Sequence, residues 1–295
     1  MKISVIIPTM NEPAIADVLH DVFDALQQHS VEVIVVDKSK DETAIRAAEL
    51  GATVIHQTGT ECGDACVTGF QRISEDTETV VILDGDYTHD PYDIPKLLQA
   101  INDGADFVIG ARFALMDKGA MSRRNALGNR ILTALLRSLY HVRLTDSQSG
   151  MRAIRRCALD RLRFQSPKMP FASEMIIEAQ KENLAITEAP IRYRARVGHV
   201  KLYPFRDAFG ILFITIRLFL DYNPLVILLP AGLALILIGL GYGTTILIEY
   251  TNIGTVTRLA GVVLSVILIF AGVQTTCFGL LSGPLLANAQ RRRAR

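Results

Sequence analysis

The chain has no tryptophan, only four cysteines, and almost no imbalance of charge, with 31 Lys and Arg against 30 Asp and Glu. An even balance provides no global field of the kind that draws a protein to nucleic acid. Cys62, Cys66, Cys157 and Cys277 form no pair of CxxC motifs and have no nearby His pair, which excludes the usual zinc modules and leaves reduced thiols as the expectation. A secretory signal is also missing: Met1 to Pro8 enters an apolar strand at once, without the hydrophobic core and cleavage site of a leader. The N-terminal domain is therefore expected on the cytoplasmic side. The one strong basic run is Arg291-Arg292-Arg293-Ala294-Arg295; it closely follows a hydrophobic span and fits a tail retained in the cytoplasm.

What is present is an alternation of short apolar strands with helical stretches. Ile3–Ile7, Val31–Val36, Thr53–His56, Val80–Leu83 and Phe107–Ile109 are the strand candidates, separated by helical patterns such as Ala14–His29 and Glu42–Leu50. That order predicts an α/β fold with a mostly parallel, helix-covered sheet. Ligands of such sheets bind outside the carboxyl ends of the strands. The polar clusters fall at those ends: Asn11-Glu12, Asp37, Gly59 to Gly63, and Asp84-Gly85-Asp86. Two carboxylates one residue apart, where a buried strand opens into a loop, can share a divalent cation and hold it against a diphosphate.

The second half changes character twice. Arg124 to Val142 reads as a helix with an apolar stripe through Leu127, Ile131, Leu135, Leu136 and Leu139, compatible with core or with a surface near lipid. Arg206 to Tyr222 has the make-up of an amphipathic interface helix. Pro224 to Ile248 and Leu259 to Leu281 are each long enough to cross about 30 Å of hydrocarbon. A short loop, Glu249 to Arg258, would make them a hairpin that returns the chain to the cytoplasm.

Six motifs in order carry a family resemblance: Ile6-Ile7-Pro8-Thr9-Met10-Asn11-Glu12, Val35-Val36-Asp37 with the residues to Thr43, Asp84-Gly85-Asp86, Gly110-Ala111-Arg112, Asp146 to Arg152, and Arg194 to Leu202. Together they resemble family 2 glycosyltransferases, in particular the dolichyl-phosphate mannose synthases and related polyprenyl-phosphate hexosyltransferases. The resemblance covers roughly residues 1–205. It implies a GT-A (Rossmann-like) domain over 1–205, followed by an interface helix at 206–222, a transmembrane hairpin at 223–282 and a basic cytoplasmic tail at 283–295. Pro8, Asn11, Glu12 and Asp37 would then surround the nucleoside, Asp84 and Asp86 would hold Mg2+ or Mn2+, and Asp86, Arg112 and Arg123 would serve catalysis. The two arginines would face the acceptor phosphate, while Arg194, Arg196 and Lys201 would close over the donor diphosphate. Glu174 would position the sugar or a neighbouring Arg. The implied reaction is inverting transfer of a hexose, mannose before glucose, from GDP-mannose or UDP-glucose to dolichyl or polyprenyl phosphate.

This sequence departs from the family pattern in places. Val36-Asp37 stands for the usual Asp-Asp and Lys38 for a common Gly; Met10 replaces Tyr, Thr88 a frequent Gln, and Leu127 a Ser near the acceptor phosphate. These departures bear on the donor nucleotide more than on the reaction class. A processive polysaccharide synthase would need a Gln-x-x-Arg-Trp motif, and the chain has no Trp. A non-catalytic membrane scaffold is the alternative from another class, opposed by the intact Asp84 and Asp86. A phosphate monoester with a second pKa of about 6 is mostly a dianion at neutral pH and needs no general base. His89 and His199 accordingly read as surface or supporting residues rather than bases.

Overall fold

In a computed structural model, residues 1–57, 59, 62–164, 171–196, 224–256 and 258–293 are described, the side chains of 224–227 and 282–293 excepted. The interface helix expected at 206–222, Lys201, His199 and the arginine tail lie outside this description or beyond its side chains. Contacts divide the chain into two units, Met1–Thr215 and Ile216–Arg295.

The first unit is built on a seven-stranded sheet in the order β3-β2-β1-β4-β6-β5-β7. Its strands are β1 (Lys2–Thr9), β2 (Ser30–Asp37), β3 (Thr53–His56), β4 (Thr79–Ile82), β5 (Phe107–Met116), β6 (Arg152–Arg155) and β7 (Ile186–Tyr193). β1 pairs in parallel with both β2 and β4, β2 with β3, and β5 with β7, whereas β6 runs antiparallel to β4 and β5. Strands buried on both faces need no polar alternate positions, which is why β1 and β2 read as near-continuous Val and Ile runs. The chain builds outward from β1 to β3 and then returns to lay β4 on the other side of β1. That reversal opens a crevice at the carboxyl ends of β1 and β4.

Helix α1 (Ile15–Ala25) buries Ile15, Val18, Leu19 and Val22, one stripe at helical spacing. With Ile3, Val5 and Ile7 of β1 and Leu97 and Ile101 of α4 (Ile94–Asn102), they form the main core cluster. Each such side chain contributes about 1.5–3 kcal/mol on burial. The helix is shorter than the expected Ala14–His29, because the residues after Leu26 are polar and close into turns. Helices α2 (Thr43–Glu49) and α3 (Cys62–Phe70) follow β2 and β3. Gly69 lets α3 settle on β1, since a Cβ there would stand 2.6 Å from Ile6 Cγ2. β5 extends past the expected Ile109: after an irregularity at Ala111 to Leu115 it resumes pairing with Arg192 and Tyr193.

Helix α5 (Arg123–Tyr140) begins at Ser122, whose hydroxyl accepts from Asn125 N at 3.2 Å, and ends at His141 in the left-handed region (φ 55°). The short α6 (Arg156–Leu159) and α7 (Phe171–Lys181) complete this unit.

The second unit contains two apolar helices, Pro224–Ile253 and Leu259–Arg293. Within them, Leu228–Ile253 and Leu259–Leu281, with mean hydropathies of 2.0 and 2.1, are long and apolar enough to cross a membrane. They form a candidate membrane hairpin. Small residues bring the two backbones together: a Cβ on Gly272 would meet Gly232 O at 2.6 Å, and Ser265 Oγ donates to Gly239 O at 2.6 Å.

Candidate active site

The acidic pair lies where β4 ends. Asp86 Oδ1 accepts from Thr88 N at 3.1 Å and from Thr88 Oγ1 at 2.6 Å, a turn closed by its own side chain. The next residue, Tyr87, takes a positive φ of 63° and sends its hydroxyl to Asp21 Oδ2 of α1 at 2.6 Å. Asp84 keeps 37% of its side-chain surface open to the crevice. Protein is packed closely around the rest, and this burial, together with the charge of Asp86, raises its pKa to about 6 against the opposing pull of Arg112, Arg196 and Arg152. Gly150 makes room for that carboxylate, since a Cβ there would stand 2.1 Å from Asp84 Oδ2.

His89 completes a cluster with the pair: one ligand atom from each of Asp84, Asp86 and His89 falls within 4.8 Å of the others. The imidazole is buried, with Nδ1 3.6 Å from Asp84 Oδ2 and Nε2 3.5 Å from Ser149 Oγ. Burial and the Arg112 charge lower its pKa to about 4, so the ring is neutral at physiological pH. Nδ1 also lies 3.3 Å from Thr88 Oγ1; the tautomer with its proton on Nε2, toward Ser149, would leave the Nδ1 lone pair for a cation. Two carboxylates and a neutral imidazole suit a divalent cation such as Mn2+ or Mg2+ by the chemistry of their donor atoms. The residues present therefore fit such an ion.

Arginines surround this cluster. Arg196 sets Nε 3.4 Å from Asp86 Oδ2 and Nη2 3.4 Å from Glu12 Oε1. Its Nε is buried yet makes no hydrogen bond among the described residues. Arg194 donates its backbone N–H to Thr88 O at 2.7 Å, pairs with Asp90 and lies 4.8 Å over the Tyr87 ring, stitching the end of β7 to the loop after β4. Arg112 behaves differently from the sequence expectation. It is buried, and Nε and Nη2 engage Asp146 at 2.7 and 2.8 Å, with the guanidinium 5.2 Å from the Tyr193 ring centre. Two of its three nitrogens are thereby committed, so only the Nη1 edge is left to face an acceptor. Burial would raise the pKa of Asp146, but the Arg112 fork outweighs it and holds the carboxyl below its ordinary value.

The nucleoside candidates gather at the ends of β1 and β2. Thr9 and Asp37 are register partners, and Thr9 Oγ1 donates to Asp37 Oδ1 at 2.6 Å. Ser39 adds its hydroxyl and its N–H to the same buried carboxylate at 2.5 and 2.9 Å. Asn11, at φ 53°, receives Lys40 N on Oδ1 at 2.8 Å and sends its own N–H to Ser39 Oγ at 2.7 Å. Pro8 sits in β1 opposite Val36, and Glu12 N–H donates to Thr43 Oγ1 at 3.0 Å. Arg123 is exposed in the first turn of α5. Glu174 is fully buried in the first turn of α7.

Sequence reasoning underrated three residues. His89 was legible only through the Asp-x-Asp-x-x-His spacing. Asp146 and Arg152 appeared only as motif letters. Arg152 is buried, has no carboxylate partner among the described residues, and donates to three carbonyls, Ser149 O, Ala172 O and Ser147 O at 2.9, 2.7 and 2.8 Å. Burial lowers its pKa to about 10. It shapes the 146–151 loop that carries Ser149 and Gly150 to the acidic pair.

The chain is similar to several known proteins. The chain is 37% identical over 211 residues to the low-salt glycan biosynthesis hexosyltransferase Agl6 of Haloferax volcanii, covering 70% of this chain and about half (51%) of that protein. Glycosyltransferase AglJ of the same organism matches along nearly the whole length, 32% identical over 97% of this chain and 94% of its own. The dolichyl-phosphate hexose transferase of H. volcanii is 36% identical over 69% of this chain and 87% of its own. Among solved structures, the glucosyl-3-phosphoglycerate synthase of Mycobacterium tuberculosis, in complex with Mn2+, uridine-diphosphate-glucose and phosphoglyceric acid, superposes with a TM-score of 0.59 at 25% identity, over 72% of this chain and 77% of its own. The sheet is thus of the GT-A type. The sequence model of Glycosyl transferase family 2 matches residues 4–163, over half of the chain, and the chain belongs to that family.

Proposed function

We propose that this glycosyltransferase transfers a hexose, mannose before glucose, from a nucleotide sugar to dolichyl or polyprenyl phosphate with inversion at the anomeric carbon. The product would be a lipid-linked sugar monophosphate for protein or cell-surface glycosylation. The observation that carries this reading is the Asp84, Asp86 and His89 cluster faced by Arg196 at the switch point of the sheet. Relatives named for dolichyl-phosphate hexose transfer and dolichol-phosphate mannosyl transfer support it, as do the two helices able to cross a membrane. In this reading residues 1–205 form the catalytic domain on the cytoplasmic face, 206–222 an interface helix, 223–282 the hairpin and 283–295 a cytoplasmic tail.

The acceptor phosphate dianion supplies its own nucleophilic oxygen. That oxygen forms a bond to the anomeric carbon while the bond from this carbon to the donor diphosphate breaks, and the nucleoside diphosphate leaves. Asp84, Asp86 and His89 would hold a divalent cation, which when bound stabilises the charge developing on the leaving diphosphate. Pro8, Asn11, Glu12 and Asp37 flank the nucleoside. Arg194, Arg196 and Lys201 screen the diphosphate, and Arg123 meets the acceptor phosphate with a guanidinium fork. Arg112 acts mainly by holding Asp146 and by favouring the ionised form of Asp84. UDP-glucose is the second donor to test, because the solved relative was captured with uridine-diphosphate-glucose.

The purified full chain, given GDP-mannose or UDP-glucose with Mn2+ or Mg2+, should release free nucleoside diphosphate only when polyprenyl phosphate is added. Release from neither donor would leave the membrane scaffold as the better reading. Thermal unfolding with GDP or UDP and Mn2+ identifies the base, since a ligand at a hundred times its dissociation constant stabilises by about 2.7 kcal/mol.

A further inference from the structure

Among the described residues, Asn11, Tyr87, His141 and Asn183 are the non-glycine positions with a positive φ. Asn and His enter the left-handed region several times more readily than other residues, and His141 takes it where α5 ends. Tyr87, at φ 63°, has neither explanation. A bulky residue stays in that region only where its surroundings over-determine it. Tyr87 directly follows Asp86, so this strained angle sets the path by which the chain leaves the acidic pair.

Several elements impose the angle. The Tyr87 ring packs against the main core cluster, and its hydroxyl crosses to α1, where it donates to Asp21 Oδ2 at 2.6 Å. Arg194 lays its guanidinium 4.8 Å from the ring centre and holds Thr88 O with its backbone N–H at 2.7 Å. Gly85 is pressed against the end of β1, since a Cβ there would stand 2.9 Å from Thr9 Cγ2. About one turn further along α1, the exposed Tyr92 repeats the bond by donating to Asp24 Oδ2 at 2.7 Å. That second bond leaves from the 3-10 turn Pro91–Asp93, beyond the acidic pair. The two bonds share their chemistry and their helix; only the first adjoins Asp86.

We propose that Tyr87 is a positioning residue for the divalent cation: its bond to Asp21 braces the turn so that the oxygens of Asp84 and Asp86 are held together before the ion binds. Two carboxylates close enough to share one ion repel each other, and a turn free to relax would let them separate. The ion would then have to reorder the turn, at the expense of its affinity. A brace to α1 removes that requirement, and the Tyr87 side chain does this without touching ion or substrate. The inference rests on the reading that Asp84, Asp86 and His89 hold a divalent cation, and deepens it by naming what keeps two of the ligands in place.

Titration of the purified full chain with Mn2+ alone, by calorimetry at pH 8, tests the brace. Tyr87→Phe keeps the ring and should bind Mn2+ about tenfold more weakly, the scale of losing a group that orients a ligand. Asp21→Ala should match it, and the double variant should be no weaker than either, because both remove one bond. Asp21→Asn keeps an acceptor oxygen and should retain most of the affinity. Tyr87→Gly accepts the backbone angle freely but lacks the brace, and should also bind weakly. Tyr92→Phe removes the matching bond elsewhere on α1 and should bind like the parent. In turnover, Tyr87→Phe should need more Mn2+ for half-maximal rate yet approach the parent's kcat at saturation. Urea unfolding without metal establishes that each variant is folded when titrated. Parent-like Mn2+ affinity in Tyr87→Phe would overturn the inference alone, and in Tyr87→Gly it would mean that the angle suffices without the brace. An equal loss in Tyr92→Phe would reduce the effect to a general loosening of α1 and overturn it as well. Absence of Mn2+ binding by the parent would remove the cation reading itself, and this inference with it.

Discussion

The half of the sheet around β1, β2 and β4 and the half around β5, β6 and β7 hold their polar residues in different ways. In the first, the two carboxylates that line the crevice are fastened by a neighbour in their own turn or the adjoining strand: Asp37 by Ser39 and Thr9, Asp86 by Thr88. In the second, guanidinium groups reach far along the sequence: Arg112 to Asp146 across 34 positions, and Arg196 to Glu12 across 184. Local turns present carboxylate oxygens that can be altered without unpicking the fold. Long-range guanidinium links carry buried charge, and breaking one strands its partner.

Several substitutions test that contrast. The largest effect is expected from Asp146→Ala, which leaves the Arg112 charge buried and unpaired and should cost about 3–5 kcal/mol of stability in urea or thermal unfolding. Combining it with Arg112→Met should recover much of the loss; a single variant as stable as the parent would break the comparison. Asp86→Asn should unfold like the parent, because its remaining side-chain oxygen can still accept from Thr88. Its turnover at saturating Mn2+ should fall by about 100- to 1000-fold, the scale of losing one charge-stabilising group. Stability loss matching that of Asp146→Ala would erase the distinction between the two halves.

Arg196 joins the halves, and its removal sharpens the boundary. At pH 8, where Asp84 is ionised either way, Arg196→Ala should bind Mn2+ alone more tightly, roughly fivefold, as expected for removing a partly exposed competing cation. The same variant should bind the nucleotide sugar more weakly. Equal changes of the same sign, read by calorimetry, would assign Arg196 a purely structural part. The last effect concerns acidity and is absent at pH 8. A carboxyl with a pKa of about 6 carries a proton below that pH, and the proton competes with a cation. Mn2+ affinity should be flat above about pH 7 and fall by up to about tenfold per unit below 6. In Asp86→Asn the Asp84 titration should move down, since the Asp86 charge helps to raise it; carbon-detected NMR of the carboxyl checks the sign.

The two halves also differed in how far the sequence disclosed them. Strands β1, β2 and β4 are continuous apolar runs separated by helical periodicity, so their order and the carboxyl-end crevice were readable, as was the acidic pair where one run stops. β6 is Arg-Ala-Ile-Arg, too short and too charged to register as a strand. Its first arginine is buried because backbone carbonyls of the preceding loop, Ser147 and Ser149, and of Ala172 in α7 receive it, and no residue type marks a carbonyl as an acceptor. β7 alternates exposed and buried residues around Pro190 and was equally hidden. The engagement of Arg112 was unreadable for the same reason: its partner follows a helix and a loop away. Lys201, the remaining residue expected at the donor, falls outside the described residues.

The Arg112 and Asp146 pair has one more consequence. Arg112 is where the chain leaves the core of β5, and Asp146 is where it returns toward β6; Gly110 N–H donates to Met151 O at 2.9 Å just beside them. The excursion between, which contains all of α5, is therefore clasped at its neck. A loop closed in this way can change in length or content at a small entropic cost, because its ends stay anchored. The segment from 113 to 145 also packs on the domain through the pairing of Leu115 and Met116 with β7 and through Leu132 and Leu136, so a relative's counterpart grafted between an unaltered Arg112 and Asp146 would leave the acidic pair in register only if it kept those packing positions.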